Sequence, residues 1–158
     1  MKEKYLIDFD GVILDSQDRF QEVMKDNINF FDWMEYLSSI EWYSFLRSCN
    51  EIDESISVLK ELERLKKLKG IITAIHSFKE GQEKLYFLRE QNIHVPIIYT
   101  LPHQKKCDVY LPTKKLILVD DKKTNCLDWN LAGGKAILFD RNLTKEENGK
   151  IKTLKKLL

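Results

Sequence analysis

The stretch Tyr5-Leu6-Ile7-Asp8-Phe9-Asp10-Gly11-Val12-Ile13-Leu14-Asp15-Ser16 sets two aspartates one residue apart at the end of an apolar run. Side chains of an extended chain alternate between faces, so Asp8 and Asp10 point the same way. Gly11 follows directly and lets the backbone bend sharply just beyond them. Two carboxylates then converge on one point. Like charges that close raise each other's pKa unless a cation sits between them, and Mg2+, with its preference for carboxylate oxygens, is the simplest candidate. An Asp-x-Asp-Gly run also opens calcium loops of the EF-hand kind, which add further oxygen ligands and a closing glutamate. Here the run ends an apolar strand and continues into Val12-Ile13-Leu14, so that reading is set aside.

The rest of the chain alternates strands with helices. A long aromatic-rich, helix-leaning stretch follows the first strand, and residues 17–65 read as an inserted helical cap. Asp53 is placed to cap a helix whose apolar residues Ile56, Leu59, Leu62, Leu65 and Leu68 recur at a constant spacing until Gly70. Ile71-Ile72-Thr73-Ala74-Ile75 is a short β-branched run and predicts a buried second strand ending near His76 and Ser77. A helix over 80–91 leads to a third strand, Val95 to Tyr99, with Pro96 near its start. After a polar loop from Pro102 to Cys107, Leu116-Ile117-Leu118-Val119 enters Asp120-Asp121. A helix over 123–131 stops at Gly133-Gly134 before the strand Ala136-Ile137-Leu138-Phe139. Thr144-x-x-Glu147 fits a capping box, with Ile151, Leu154 and Leu158 on one face of a closing helix. Continuous apolar strands with helical crossovers predict an α/β fold, a three-layer Rossmann-like parallel sheet of five strands. Ligands bind such sheets at the carboxyl ends of the strands, so Asp8, Asp10, the Thr73–Ser77 segment, the Lys105-Lys106 loop and Asp120-Asp121 are expected to cluster.

Length and composition bound the function. A chain of 158 residues with 43% hydrophobic content predicts a single domain with a real core. With 26 basic and 25 acidic residues the net charge is +1, which gives no bulk field favouring a polymeric nucleic acid or an anionic membrane. Cys49, Cys107 and Cys126 lack the spacing of a zinc site or a disulfide framework, which points to a reducing compartment. The first strand begins too close to Met1 for a signal peptide, and no apolar stretch reaches membrane-spanning length. The expectation is a cytoplasmic protein acting on a small molecule.

Asp-Phe-Asp-Gly-Val at the first strand and Asp-Asp after the fourth resemble motifs of the haloacid dehalogenase (HAD) superfamily of hydrolases, in an order that spans nearly the whole chain. That resemblance implies a Mg2+-dependent phosphatase working through an aspartyl-phosphate. Carried over by position, Asp8 is the nucleophile and Asp10 the general acid/base, Asp10 lending the metal its backbone carbonyl. The physical logic holds without the name: a carboxylate in line with phosphorus splits one difficult step into two, and a neighbouring acid protonates the leaving oxygen. The family's hydroxyl motif falls on Thr73, with Ser77 as competitor. Its lysine falls on Lys106, with Lys105 adjoining, and an ammonium there offsets the charge between nucleophile and phosphate. Gly11, Ser77 and Lys105 are the flanking phosphate- or substrate-binding positions. The acidic pair, Asp120 and Asp121, supplies the remaining metal ligands; Asp121 is the direct ligand and Asp120 stands directly at the metal or behind it. Asn125 stands where the family commonly has an acidic residue.

The motif style is similar to the soluble 5′(3′)-deoxyribonucleotidase branch, which implies a nucleoside monophosphate as substrate. Phe20, Phe30, Phe31, Trp33, Tyr36, Trp42, Tyr43 and Phe45 concentrate in the insert, where they first make a core of their own and shield the site from water. Two rival classes are a catalytically weak HAD-like protein kept for binding or regulation, and a phosphoacceptor receiver module. The receiver requires a phosphorylatable Asp on a central strand, where Ile97 to Thr100 offers none. His76 beside the second strand is read as structural or substrate-facing, and His94 and His103 have no partner at zinc-ligand spacing.

Overall fold

The first strand, β1 (Lys4–Ile7), lies near the centre of a parallel sheet in the computed structural model, which describes residues 3–24, 28–145 and 147–158. Met1 and Lys2, ahead of the strand, and residues 25–27 of the expected insert lie outside the described residues. The remaining strands are β2 (Leu68–Ala74), β3 (Ile97–Thr100), β4 (Leu116–Asp120), β5 (Lys135–Phe139) and β6 (Lys150–Ile151). They run in the order β3-β2-β1-β4-β5-β6, all parallel. The helices are α1 (Ser16–Met24), α2 (Phe30–Ser39), α3 (Trp42–Ser48), α4 (Ser55–Arg64), α5 (Phe78–Glu90), α6 (Lys106–Val109) and α7 (Lys123–Leu131).

Alternation along the strands divides the core into two faces. Ile7, Ile71 and Val119 pack on one side with Leu59 and Leu62 of α4 and Phe87 and Leu88 of α5. Leu6, Ile72 and Leu118 pack on the other with Trp129 of α7. Helices therefore cover both faces and make three layers. Residues 17–65 divide in their packing: Phe20, Leu37 and Trp42 of α1 to α3 form a separate aromatic cluster with Trp33, Tyr36 and Phe45, while α4 joins the main core.

The expected five strands are six. Thr144 and Glu147 do not open a helix; Gly149, at φ +78°, turns the chain into β6, where Lys150 and Ile151 pair with Leu138 and Phe139. A short 3-10 turn, Leu154–Leu157, follows and buries Leu154 and Leu157 in the core. The helix expected to run to Gly70 ends at Arg64, because Lys66 adopts the left-handed conformation at φ +59°. Leu68 then starts β2 opposite Tyr5, so the constant spacing of leucines spans two elements. Asp53 does not cap α4: Glu51 does, its Oε1 accepting from the Ile56 amide at 2.7 Å. Gly70, read as a helix stop, is a strand residue, and its requirement is close approach: a Cβ there would lie 2.7 Å from the Pro96 carbonyl oxygen.

Gly70→Ala is accordingly expected to destabilise the fold by about 1–3 kcal/mol, the cost of forcing atoms into a closed strand contact. Urea unfolding with an unchanged m-value and a lowered midpoint checks this; an unaltered midpoint would contradict it.

Candidate active site

Strand register puts the acidic residues together. Ile7 pairs with Val119, and the Asp8 amide donates to the Val119 carbonyl at 2.9 Å, so Asp8 and Asp120 stand side by side where the sheet's order reverses, between β1 and β4. Such a crevice at the carboxyl ends is where ligands bind open α/β sheets. Asp8 and Asp120 are buried, and the carboxylate oxygens of Asp8, Asp120 and Asp121 gather within 4.8 Å of one another.

Lys106, at the start of α6, reaches under this cluster. Its Nζ lies 2.8 Å from Asp8 Oδ1 and 2.6 Å from Asp120 Oδ2. Burial disfavours its charge, but Asp8 and Asp120 outweigh that and hold its pKa above the ordinary lysine value. Lys105 points elsewhere, to Asp128 at 3.0 Å on the surface. Of the two adjoining lysines, Lys106 is the one gathered with Asp8. Asp120 has partners on both oxygens: Oδ1 accepts from the Lys122 amide at 2.8 Å, and Oδ2 also accepts from Asn125 Nδ2 at 2.9 Å. Asn125 thus serves the cluster as a hydrogen-bond donor to Asp120.

Asp121 differs. Its Oδ1 is buried and has no hydrogen-bond partner among the described residues. Burial, and then Asp120 beside it, push its carboxyl up to about 6. Burial pushes Asp8 up to about 8, since Lys106 pulls it down by less than burial and the other aspartates push it up. Three crowded carboxylates, one with an orphaned oxygen, form a hard-oxygen donor set that fits Mg2+. Gly11 closes the other wall. It sits at φ +79°, and a Cβ on it would overlap the Asp121 carboxylate, so both its conformation and its smallness are required.

Asp10 stands apart from this group. Ser16 Oγ donates to its Oδ1 at 2.6 Å, while Oδ2 receives Lys84 Nζ at 2.6 Å and lies 3.3 Å from Thr73 Oγ1. Thr73 is therefore brought to Asp10. Ser77 caps α5, its side chain accepting from the Glu80 amide at 3.1 Å. His76 leaves β2 with its amide and Nδ1 on Glu80 Oε2, at 2.6 and 3.1 Å. His103 borders a cavity beneath α2.

Sequence reasoning missed Ser16 and, more importantly, Lys84. The signal for Lys84 was present in the pattern: Glu80, Lys84, Phe87 and Leu88 share one helical stripe, and charged residues within a buried stripe are rarely surface residues.

The sequence matches no protein-family model and no curated protein. In three dimensions the chain is similar to a HAD hydrolase of family IA, variant 3, from Entamoeba histolytica HM-1:IMSS, with a TM-score of 0.63 at 16% identity over 98% of this chain and 94% of that one. It is also similar to a HAD-superfamily hydrolase from Ehrlichia chaffeensis, with a TM-score of 0.59 at 12% identity over 99% and 95%. The likeness is one of fold: the chain has the HAD-like α/β architecture. Among the described residues, no helix is long and apolar enough to cross a membrane.

The raised carboxyl values carry a sign. A folded-state pKa of about 8 for Asp8 and about 6 for Asp121, both above the ordinary 3.8, means that the metal-free fold loses stability as pH rises from about 4 to 8. A divalent cation bound to the ionised cluster would offset that loss. Saturating Mg2+ is expected to raise Tm by roughly 5–10 °C at pH 8 and by clearly less at pH 5, measured by thermal denaturation in EDTA and in Mg2+. An equal rise at both pH values would contradict the assignment.

Proposed function

We propose that the protein is a Mg2+-dependent phosphatase that hydrolyses a small phosphomonoester through an aspartyl-phosphate on Asp8. The observation that carries this reading is the separate treatment of the two aspartates at the end of β1: Asp8 is held by Lys106 within the acidic cluster, and Asp10 by Lys84 outside it. Two carboxylates in different surroundings suit two different roles.

In this reading Asp8, Asp120 and Asp121 would hold the metal, with Asp10 contributing through its backbone, and the bound ion would supply positive charge for the transferring phosphoryl group. Asp8 attacks phosphorus through a carboxylate oxygen. A bond forms between that oxygen and phosphorus as the ester bond to the leaving oxygen breaks, and Asp10 delivers a proton to that oxygen. Water then attacks the acyl-phosphate, Asp10 takes its proton, and phosphate and free Asp8 are released. Lys106, already paired with Asp8 and Asp120, compensates negative charge throughout. Thr73, beside Asp10, lines the same side.

The substrate is a small phosphorylated metabolite. A cavity of about 300 Å3, lined by Phe30, Trp33, Met34, Leu37, His76 and His103, lies between α2 and the segments that follow β2 and β3. An apolar wall with imidazoles at its edge suits a leaving group with a ring face and polar edges, which includes a nucleoside. The aromatic cluster of α1 to α3 covers this side and limits access of water.

A panel of nucleoside, sugar and aryl phosphates with and without Mg2+ tests the reading. Phosphate release is expected only with the metal, and Asp8→Asn is expected to lower kcat by on the order of 10^3-fold or more. Undiminished Mg2+-dependent release by that variant would contradict the nucleophile assignment. Silence of the wild type across the panel would favour a binding protein.

A further inference from the structure

Lys84 is wholly buried, and a buried ammonium is retained at the expense of its hydration, where an apolar side chain of similar size would pack as well. Its Nζ spends its three donors on Asp10 Oδ2 at 2.6 Å and on Thr73 Oγ1 and the Ala74 carbonyl at 3.1 Å each, and forms an ion pair with Glu80 Oε1 at 2.8 Å. The Phe9 ring lies beneath it, its centroid 5.2 Å away. Glu80, its second counter-charge, is fixed in turn by His76, whose ring meets Phe20 and Trp33 of the aromatic cluster edge-on, centroids 6.1 Å apart in both pairs. The ammonium is thus immobilised from β2, from α5 and from the Asp10 loop.

This geometry distinguishes the two oxygens of Asp10. An ammonium has donors only and never accepts. Oδ2 faces that ammonium, so it remains an acceptor whether or not the carboxyl carries a proton. Oδ1 has Ser16 as its hydrogen-bond partner among the described residues, and that hydroxyl can donate to an ionised oxygen and accept from a protonated one.

We propose that Lys84 is a positioning residue for the acid/base step: by occupying Oδ2 of Asp10 it assigns the proton to Oδ1 and holds that oxygen in one orientation. The inference rests on the phosphatase reading and adds which atom moves the proton and what fixes it. In the first half-reaction the proton leaves Oδ1 for the departing oxygen; in the second, Oδ1 takes it back from water. Lys84 touches neither phosphorus nor leaving group and acts through Asp10 alone.

Leaving-group dependence tests this. An alkyl phosphate needs its departing oxygen protonated, whereas the phenolate of 4-nitrophenyl phosphate departs unaided, and kcat/KM reports only the steps through that departure. In the double variant Glu80→Gln/Lys84→Met the net charge of the cluster is preserved. Its kcat/KM for an alkyl phosphate is expected to fall about 10^2-fold or more, the range of a general-acid contribution, and for 4-nitrophenyl phosphate by less than about 5-fold. The Mg2+-induced rise in Tm should persist, because Lys84 contacts none of Asp8, Asp120 and Asp121. Lys84→Gln, which keeps a donor for Oδ2, is expected to show the same selective loss in smaller degree, and it serves if the double variant does not fold. Equal losses on the two esters, or no loss on either, would overturn the positioning role while leaving the phosphatase reading intact. A wild type inactive on both would instead overturn the phosphatase reading and this inference with it.

Discussion

The Lys106 ammonium wedged between Asp8 and Asp120 is the interaction on which the rest of the site depends. Parallel pairing of β1 with β4 brings two aspartates to the same sheet edge, and Asp121 follows immediately. Without a cation beneath them, that register would bury like charges against each other. Lys106 comes from the segment after β3, the strand at one edge of the sheet, so it also ties that segment to the ends of β1 and β4. Removing one partner of such a buried pair generally costs about 3–5 kcal/mol. The same contact therefore stabilises the fold and shapes the acidic edge of the sheet.

Around this contact the charges separate into two groups. Asp8, Asp120, Asp121 and Lys106 form a cluster in which Asp121 Oδ1 is buried without a hydrogen-bond partner among the described residues. Asp10, Lys84, Glu80 and His76 form a chain that runs toward the aromatic insert. Asp10 still bears on the first group through its charge, which adds a minor upward push on the carboxyls of Asp8 and Asp121. Both aspartates lie beyond the end of β1, and they acquire different surroundings because different elements supply their cations, α6 for Asp8 and α5 for Asp10.

Much of the arrangement was legible in the residues. The apolar runs at β1, β2 and β4, the turn at Gly11, and the acidic pair at β4 all carry local signals, and α7 matches its expected span because Gly133 ends it in a left-handed turn. The misreadings have a common cause: local periodicity does not report which element lies opposite. Leu68 continues the leucine spacing of α4, yet its partner is Tyr5 on a neighbouring strand. Ile151 continues a helical face, yet Phe139 draws it into the sheet. Lys84 looked like one of many lysines until the packing of α5 turned it inward, and the difference between Lys105 and Lys106 rests on the direction in which α6 begins.

The account's central claim is that Asp8 carries the phosphoryl group during turnover. Rapid quenching of the protein with a phosphate ester it hydrolyses and Mg2+, followed by borohydride reduction and peptide mass spectrometry, reads this directly, because reduction converts a phosphorylated aspartate to homoserine. The expected result is homoserine at position 8 and at no other aspartate. Its appearance at Asp10 or Asp120 instead, or turnover with no modified aspartate, would contradict the account.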